Sequence, residues 1–167
     1  MTNQELYELE FALGVNLPEA YRTLLLHPPF TEDSSTAQNL GLHDPRGLIR
    51  DNKTFREYTD RRSKLQPPER YFVIGSMDCA YYAIDLQGDE ALPVLEISFR
   101  PDREVYSTYE SLDEFIRIEQ ESEQEAAEHD AKEAAAEASA SPWRKRLIIA
   151  GYILGWVLYI VYKAQHS

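Results

Sequence analysis

The sequence predicts an α+β domain, an antiparallel sheet of about four to five strands with helices packed against it, followed by a C-terminal transmembrane helix. Three observations carry this expectation. Leu6, Leu9 and Leu13 recur at helical spacing near the start of the chain. From Tyr71 the apolar period changes to two, in short runs broken by turn residues. Finally, Leu147 to Tyr162, LIIAGYILGWVLYIVY, runs for sixteen residues without a charge.

The elements follow in order. Thr2-Asn3-Gln4-Glu5 is a capping-box pattern that opens a first helix, and Gly14 ends it. Leu17-Pro18-Glu19 starts a second helix with the stripe Tyr21, Leu24 and Leu25, stopped by His27-Pro28-Pro29. Residues 30–45 read as a polar loop, and Gly47-Leu48-Ile49-Arg50 as a short strand. Asp51 or Asn52 is the expected cap of a third helix with Phe55, Tyr58, Arg62 and Leu65 along one side, broken by Pro67-Pro68. Strands are expected at Tyr71–Gly75, Ala80–Leu86, Pro93–Phe99 and, briefly, Glu104–Tyr106, with turns at Gln87–Glu90 and Pro101–Arg103. Ser111-Leu112-Asp113-Glu114 is a second capping box and opens a helix carrying Leu112, Phe115 and Ile116 inward. Helices beside one run of antiparallel strands define the α+β class.

Charge divides the chain into three segments. Residues 1–118 carry 12 basic and 21 acidic residues, a net of −9, and are long enough for one modest core. Residues 119–141, EQESEQEAAEHDAKEAAAEASAS, carry a net of −7 and no apolar residue larger than Ala. Such a segment packs nothing; it is either a semi-rigid helical rod or an acidic disordered spacer. Residues 142–167 carry four basic residues and no acid. A single cysteine, Cys79, excludes an internal disulfide framework and is expected as a small buried residue at a strand start.

The apolar run at 147–162 is about 24 Å long as a helix, short of a hydrocarbon core of about 30 Å. Arg146 and Lys163 flank it, and their stems reach the interfaces. A buried core helix keeps a polar stripe, and this run has none, so a membrane anchor is expected, with Leu147, Ile153, Trp156, Leu158 and Tyr162 among its residues. Arg144-Lys145-Arg146 precede the span and only Lys163 follows, which by the positive-inside bias keeps the N-terminal domain cytoplasmic in a single-pass, tail-anchored arrangement. Gly151 and Gly155 form a G-x-x-x-G, a candidate groove for homodimerisation of the membrane helix against chance occurrence.

At this point the residues carry a resemblance. Leu6 to Leu26, LYELEFALGVNLPEAYRTLLL, resembles the opening of the SUKH superfamily, with Leu17-Pro18-Glu19-Ala20-Tyr21 its most specific part. Tyr71 to Leu86, YFVIGSMDCAYYAIDL, is similar to that family's central hairpin, and Val94 to Ile116 to its closing strands and final helix. His27-Pro28-Pro29-Phe30 stands where the family has an Asn-Gly-Gly-like turn, and Met77-Asp78-Cys79 where it has a Gly-Asp pair. The resemblance implies a non-enzymatic protein-binding domain, most often an immunity protein that neutralises a cognate toxin. The alternative it implies is an adaptor or regulator of envelope or cell-wall synthesis, here held at a membrane.

No catalytic pattern opposes that reading. Gly75-Ser76 lacks the flanking residues of a nucleophile elbow, and there is no Gly-rich phosphate loop or paired-cysteine metal spacing, so no enzyme activity, cofactor or metal is expected. Basic residues are too few in an acidic domain for nucleic-acid binding. The expected partner surface is the hairpin, through Asp78, Tyr81, Tyr82 and Asp85. Adjacent tyrosines on a strand face opposite sides, so one belongs to the core and the other is free to anchor an interface. An acidic surface attracts a basic toxin surface and speeds the encounter.

Overall fold

The computed structural model describes residues 1–139 except Arg62, Asp78 and Asp89. The chain forms two units, residues 1–123 and 124–167. The first holds α1 (Asn3–Leu13), α2 (Glu19–Leu26), α3 (Ser35–Asn39), α4 (Pro45–Tyr58), a 3-10 turn (Pro68–Arg70), β1 (Tyr71–Met77), β2 (Ala80–Asp85), β3 (Val94–Ser98) and β4 (Val105–Tyr109). Helix α5 spans Leu112–Ser139, so the acidic segment is helical as far as it is described. In the second unit every residue from Gln124 to Ala136 is exposed. Among the described residues no helix is long and apolar enough to cross a membrane; the expected span at 147–162, with Leu147, Gly151, Ile153, Gly155, Trp156, Leu158 and Tyr162, lies outside them.

The sheet has four antiparallel strands in the order β1-β2-β3-β4. Strand alternation gives it two apolar faces. Phe72 and Ile74 of β1 join Tyr82 and Ile84 of β2 in the larger core, with Leu6 and Leu9 of α1, Tyr21 and Leu25 of α2, and Phe115 of α5. Tyr71, Val73, Ala83 and Ile97 face the other way, where Phe55 of α4 and Leu65 cover them.

Local chemistry explains the boundaries. Thr2 and Glu5 close a complete capping box on α1, and Gly14, at φ 64, ends the helix in the left-handed region that glycine occupies without strain. Glu10 then fixes the turn into α2: its carboxylate accepts from the Leu17 N–H at 2.8 Å and from the Arg22 guanidinium at 2.7 Å.

The expected strand at Gly47–Arg50 is instead the first half of α4. Asp44 caps that helix, its Oδ1 accepting from Gly47 N–H at 2.9 Å, and Pro45 occupies the first turn, where a missing N–H costs nothing. Asn52 therefore caps nothing and lies fully buried inside α4. Of the stripe expected for that helix, Phe55 is buried, Tyr58 is exposed, and Leu65 is buried but beyond the helix end; Arg62 lies outside the described residues. The region expected as loop contains α3, whose N-cap Ser34 accepts from Ala37 N–H. Cys79 is exposed rather than buried, because it sits in the tight connection between Met77 and Ala80.

Candidate protein-binding surface

The hairpin β1–β2 places its expected residues in three different environments. Tyr82 is buried against Phe115, ring centroids 5.0 Å apart, and so belongs to the larger core. Asp85 ends β2 and holds the Arg70 guanidinium through both carboxylate oxygens, while Oδ1 also accepts from Gln87 N–H at 2.9 Å. The Arg70 bonds come first in holding its carboxyl below the usual carboxylate range. Tyr81 is half-buried on the opposite face, edge-on to Phe55 at 5.7 Å and against Phe99 at 4.4 Å. Asp78 lies outside the described residues. Of the described three, Tyr82 is buried, while Tyr81 and Asp85 are both half-buried.

The Tyr81 face is organised by a residue the sequence gives no reason to single out. Arg103, expected only as part of a polar turn, is 2 % exposed. Its guanidinium lies 4.8 Å from the Phe55 ring centroid and 5.1 Å from that of Tyr81. It donates to the carbonyls of Ser98 at 3.3 Å and Phe99 at 2.9 Å, and to Thr59 Oγ1 at 3.1 Å. Thr59 in turn donates to the Phe55 carbonyl. Burial lowers the Arg103 pKa and raises that of Tyr81, yet an arginine keeps its charge at any pH a protein meets. One buried cation thus ties the end of α4, the end of β3 and the turn before β4 together.

Beyond this clamp three apolar side chains around the end of β3 and the start of β4 reach solvent. Phe99, Val105 and Tyr106 are exposed, at 42 %, 39 % and 53 %. A separate exposed pair, Tyr7 and Phe11, stacks one helical turn apart on α1 with centroids 6.3 Å apart. Both residues fall off the Leu6, Leu9, Leu13 stripe, which is the only sequence feature that marks them. Scattered exposed apolar residues are ordinary; these two groups lie on α1 and around the end of β3 and the start of β4.

Among the described residues one group of metal-capable side chains, His129, Asp130 and Glu133 of α5, brings ligand atoms within 4.8 Å, all of them exposed on an acidic helix.

Neither the curated proteins nor the solved structures contain a significant match to this chain. A family model does match, the SMI1 / KNR4 family (SUKH-1), over residues 1–118. That interval takes in the capped opening helices, the four-stranded meander and the start of α5, and the chain belongs to the SMI1 / KNR4 (SUKH-1) family.

Proposed function

We propose that this chain is a non-enzymatic, membrane-tethered binding protein, and that it acts as an immunity protein neutralising a cognate toxin. Family membership over residues 1–118 is the observation that carries the reading, since this family in general supplies non-catalytic immunity or regulatory domains that act on protein partners. The acidic balance supports it. A net of −9 over the domain suits a basic partner surface and accelerates its capture. The uncharged run at 147–162, fenced by basic residues, supports a membrane anchor with the domain on the cytoplasmic side. Tethering to a surface raises the effective concentration of the inhibitor where a toxin enters. The groove at Gly151 and Gly155 supports pairing of two anchors.

The test is co-expression with each toxin gene adjacent to the locus. Rescue of growth by the full-length chain, and reduced rescue when residues 142–167 are replaced by a polar tail, are the expected results. Failure to rescue from any neighbouring toxin, together with co-purification of envelope-synthesis proteins, would favour the adaptor role instead.

A further inference from the structure

We propose that the free edge of β4 is a docking strand for an extended segment of the partner, one with basic residues at its ends and β-formers between them. The proposal rests on the protein-binding reading above and names its surface.

The two edges of the sheet are built differently. At β1, helix α4 caps the middle of the edge: Asn52 accepts from Val73 N–H at 2.9 Å and donates to the Val73 carbonyl at 2.8 Å. At the other edge β4 is the last strand, and among the described residues none pairs with its outer side. Val105 to Thr108 are exposed and Tyr109 is half-buried. Edge strands are blunted by shortness, a bulge, lysine, proline or inward charge, and β4 has only the first two, at five residues with one bulge. The sequence of β4, VYSTY, carries no lysine, proline or charge and is all β-former apart from one serine. The one irregularity in its pairing falls at Tyr106; Ser107, Thr108 and Tyr109 sit in regular register with Glu96, Leu95 and Val94.

Side chains and charge then choose the occupant. Phe99, Val105 and Tyr106 offer apolar contact beside the backbone groups, the arrangement by which an added strand gains both affinity and specificity. A concavity of about 450 Å³, lined by Lys64, Asp102, Arg103, Glu104 and Val105, adjoins the start of the strand and accommodates one side chain of the guest. Glu104 and Glu110 bracket β4, and Glu96 accepts from Ser107 Oγ at 2.6 Å. A second copy pairing antiparallel about Ser107 would set Glu104 opposite Glu110 at both ends, and like charges directly opposite are destabilising. A guest with lysine or arginine at those places finds opposite charges.

The experiment uses the full-length chain in lipid nanodiscs and a fluorescein-labelled peptide, Lys-Val-Thr-Val-Thr-Val-Lys, read by anisotropy. Saturable binding is expected, weakened about tenfold when both lysines are replaced by glutamate. Methylating the peptide's backbone nitrogens at alternate positions, in both possible phases, should abolish binding in one phase and spare the other. The double variant E104K/E110K changes only exposed side chains and should reverse the preference between the basic and acidic peptides. No binding of the basic peptide, indifference to both methylation phases, or an unchanged preference in the variant would overturn the proposal. So would sedimentation showing a wild-type dimer that excludes the peptide, which gives the edge to a second copy. In the toxin co-expression assay, rescue by wild type and equally by E104K/E110K overturns the edge alone. No rescue by wild type counts against the reading beneath it, and the peptide result still decides the edge.

Discussion

Asn52 does for Val73 what a neighbouring strand would otherwise do. Its amide oxygen and nitrogen meet the Val73 N–H and C=O at 2.9 and 2.8 Å, and the same nitrogen also donates to the Leu48 carbonyl of its own helix at 2.9 Å. A buried side-chain amide has the donor and acceptor set of a peptide group, so α4 satisfies both outward backbone groups of Val73 at the β1 edge. Replacing Asn52 by Leu keeps much of the volume and orphans both Val73 groups. The expected cost is about 2–4 kcal/mol, read by urea denaturation; a loss within the scatter of surface substitutions would show that the pairing contributes little.

Gly75 packs where no side chain fits. A Cβ there would lie 2.5 Å from the Asn39 carbonyl oxygen and 2.6 Å from the Leu40 Cα, both backbone atoms with little room to retreat. Gly75→Ala should destabilise the domain by about 2 kcal/mol or more through overpacking. A thermal melt unchanged from wild type would mean that the α3–β1 approach gives way easily.

Tyr21 is fully buried with its hydroxyl unpartnered, edge-on to Phe72 at 5.5 Å. Burial raises the pKa of that phenol, and to a smaller extent those of Tyr81 and Tyr109. A raised folded-state pKa means stability that is complete below the unfolded value and lost as pH climbs past it, here from about pH 10 upward. Tyr21→Phe removes the unpaired hydroxyl. It should stabilise the fold at neutral pH by about 1 kcal/mol and soften the alkaline loss, as followed by denaturation at several pH values.

The pair Arg70–Asp85 acts at the other end of the scale. A depressed carboxyl pKa contributes stability that is present above the unfolded value and lost as pH falls below about 4 toward the folded one. Asp85→Asn should lower stability at neutral pH and flatten the acid limb of the stability profile. An acid limb identical to wild type would place the acid sensitivity elsewhere.

Much of this fold is legible in local sequence because its causes are local. Thr2 and Glu5 lie three residues apart and close the box on α1, and the alternation from Tyr71 to Ile74 matches the split of those residues between two cores. The misreading of Gly47–Arg50 has the opposite origin. Four residues containing Leu and Ile are ambiguous between strand and helix, and the deciding interaction is the cap from Asp44 just upstream. Asn52 reads as a cap in isolation; its real partner, Val73, is 21 residues away and invisible until the chain is folded. The environment of the candidate surface residues was legible by halves. Tyr81 and Tyr82 do divide between two faces, but nothing in Pro101-Asp102-Arg103 announces that the arginine turns inward.

That inward turn sets the character of the open strand. Arg103 adopts φ 53, in the left-handed region, and its head is gripped by two carbonyls, a hydroxyl and two rings immediately before β4 begins. The strand consequently leaves its turn along a direction already decided when the domain folded. An incoming segment meets a preorganised template rather than a loop awaiting order, so little conformational entropy remains to be surrendered on this side of the encounter.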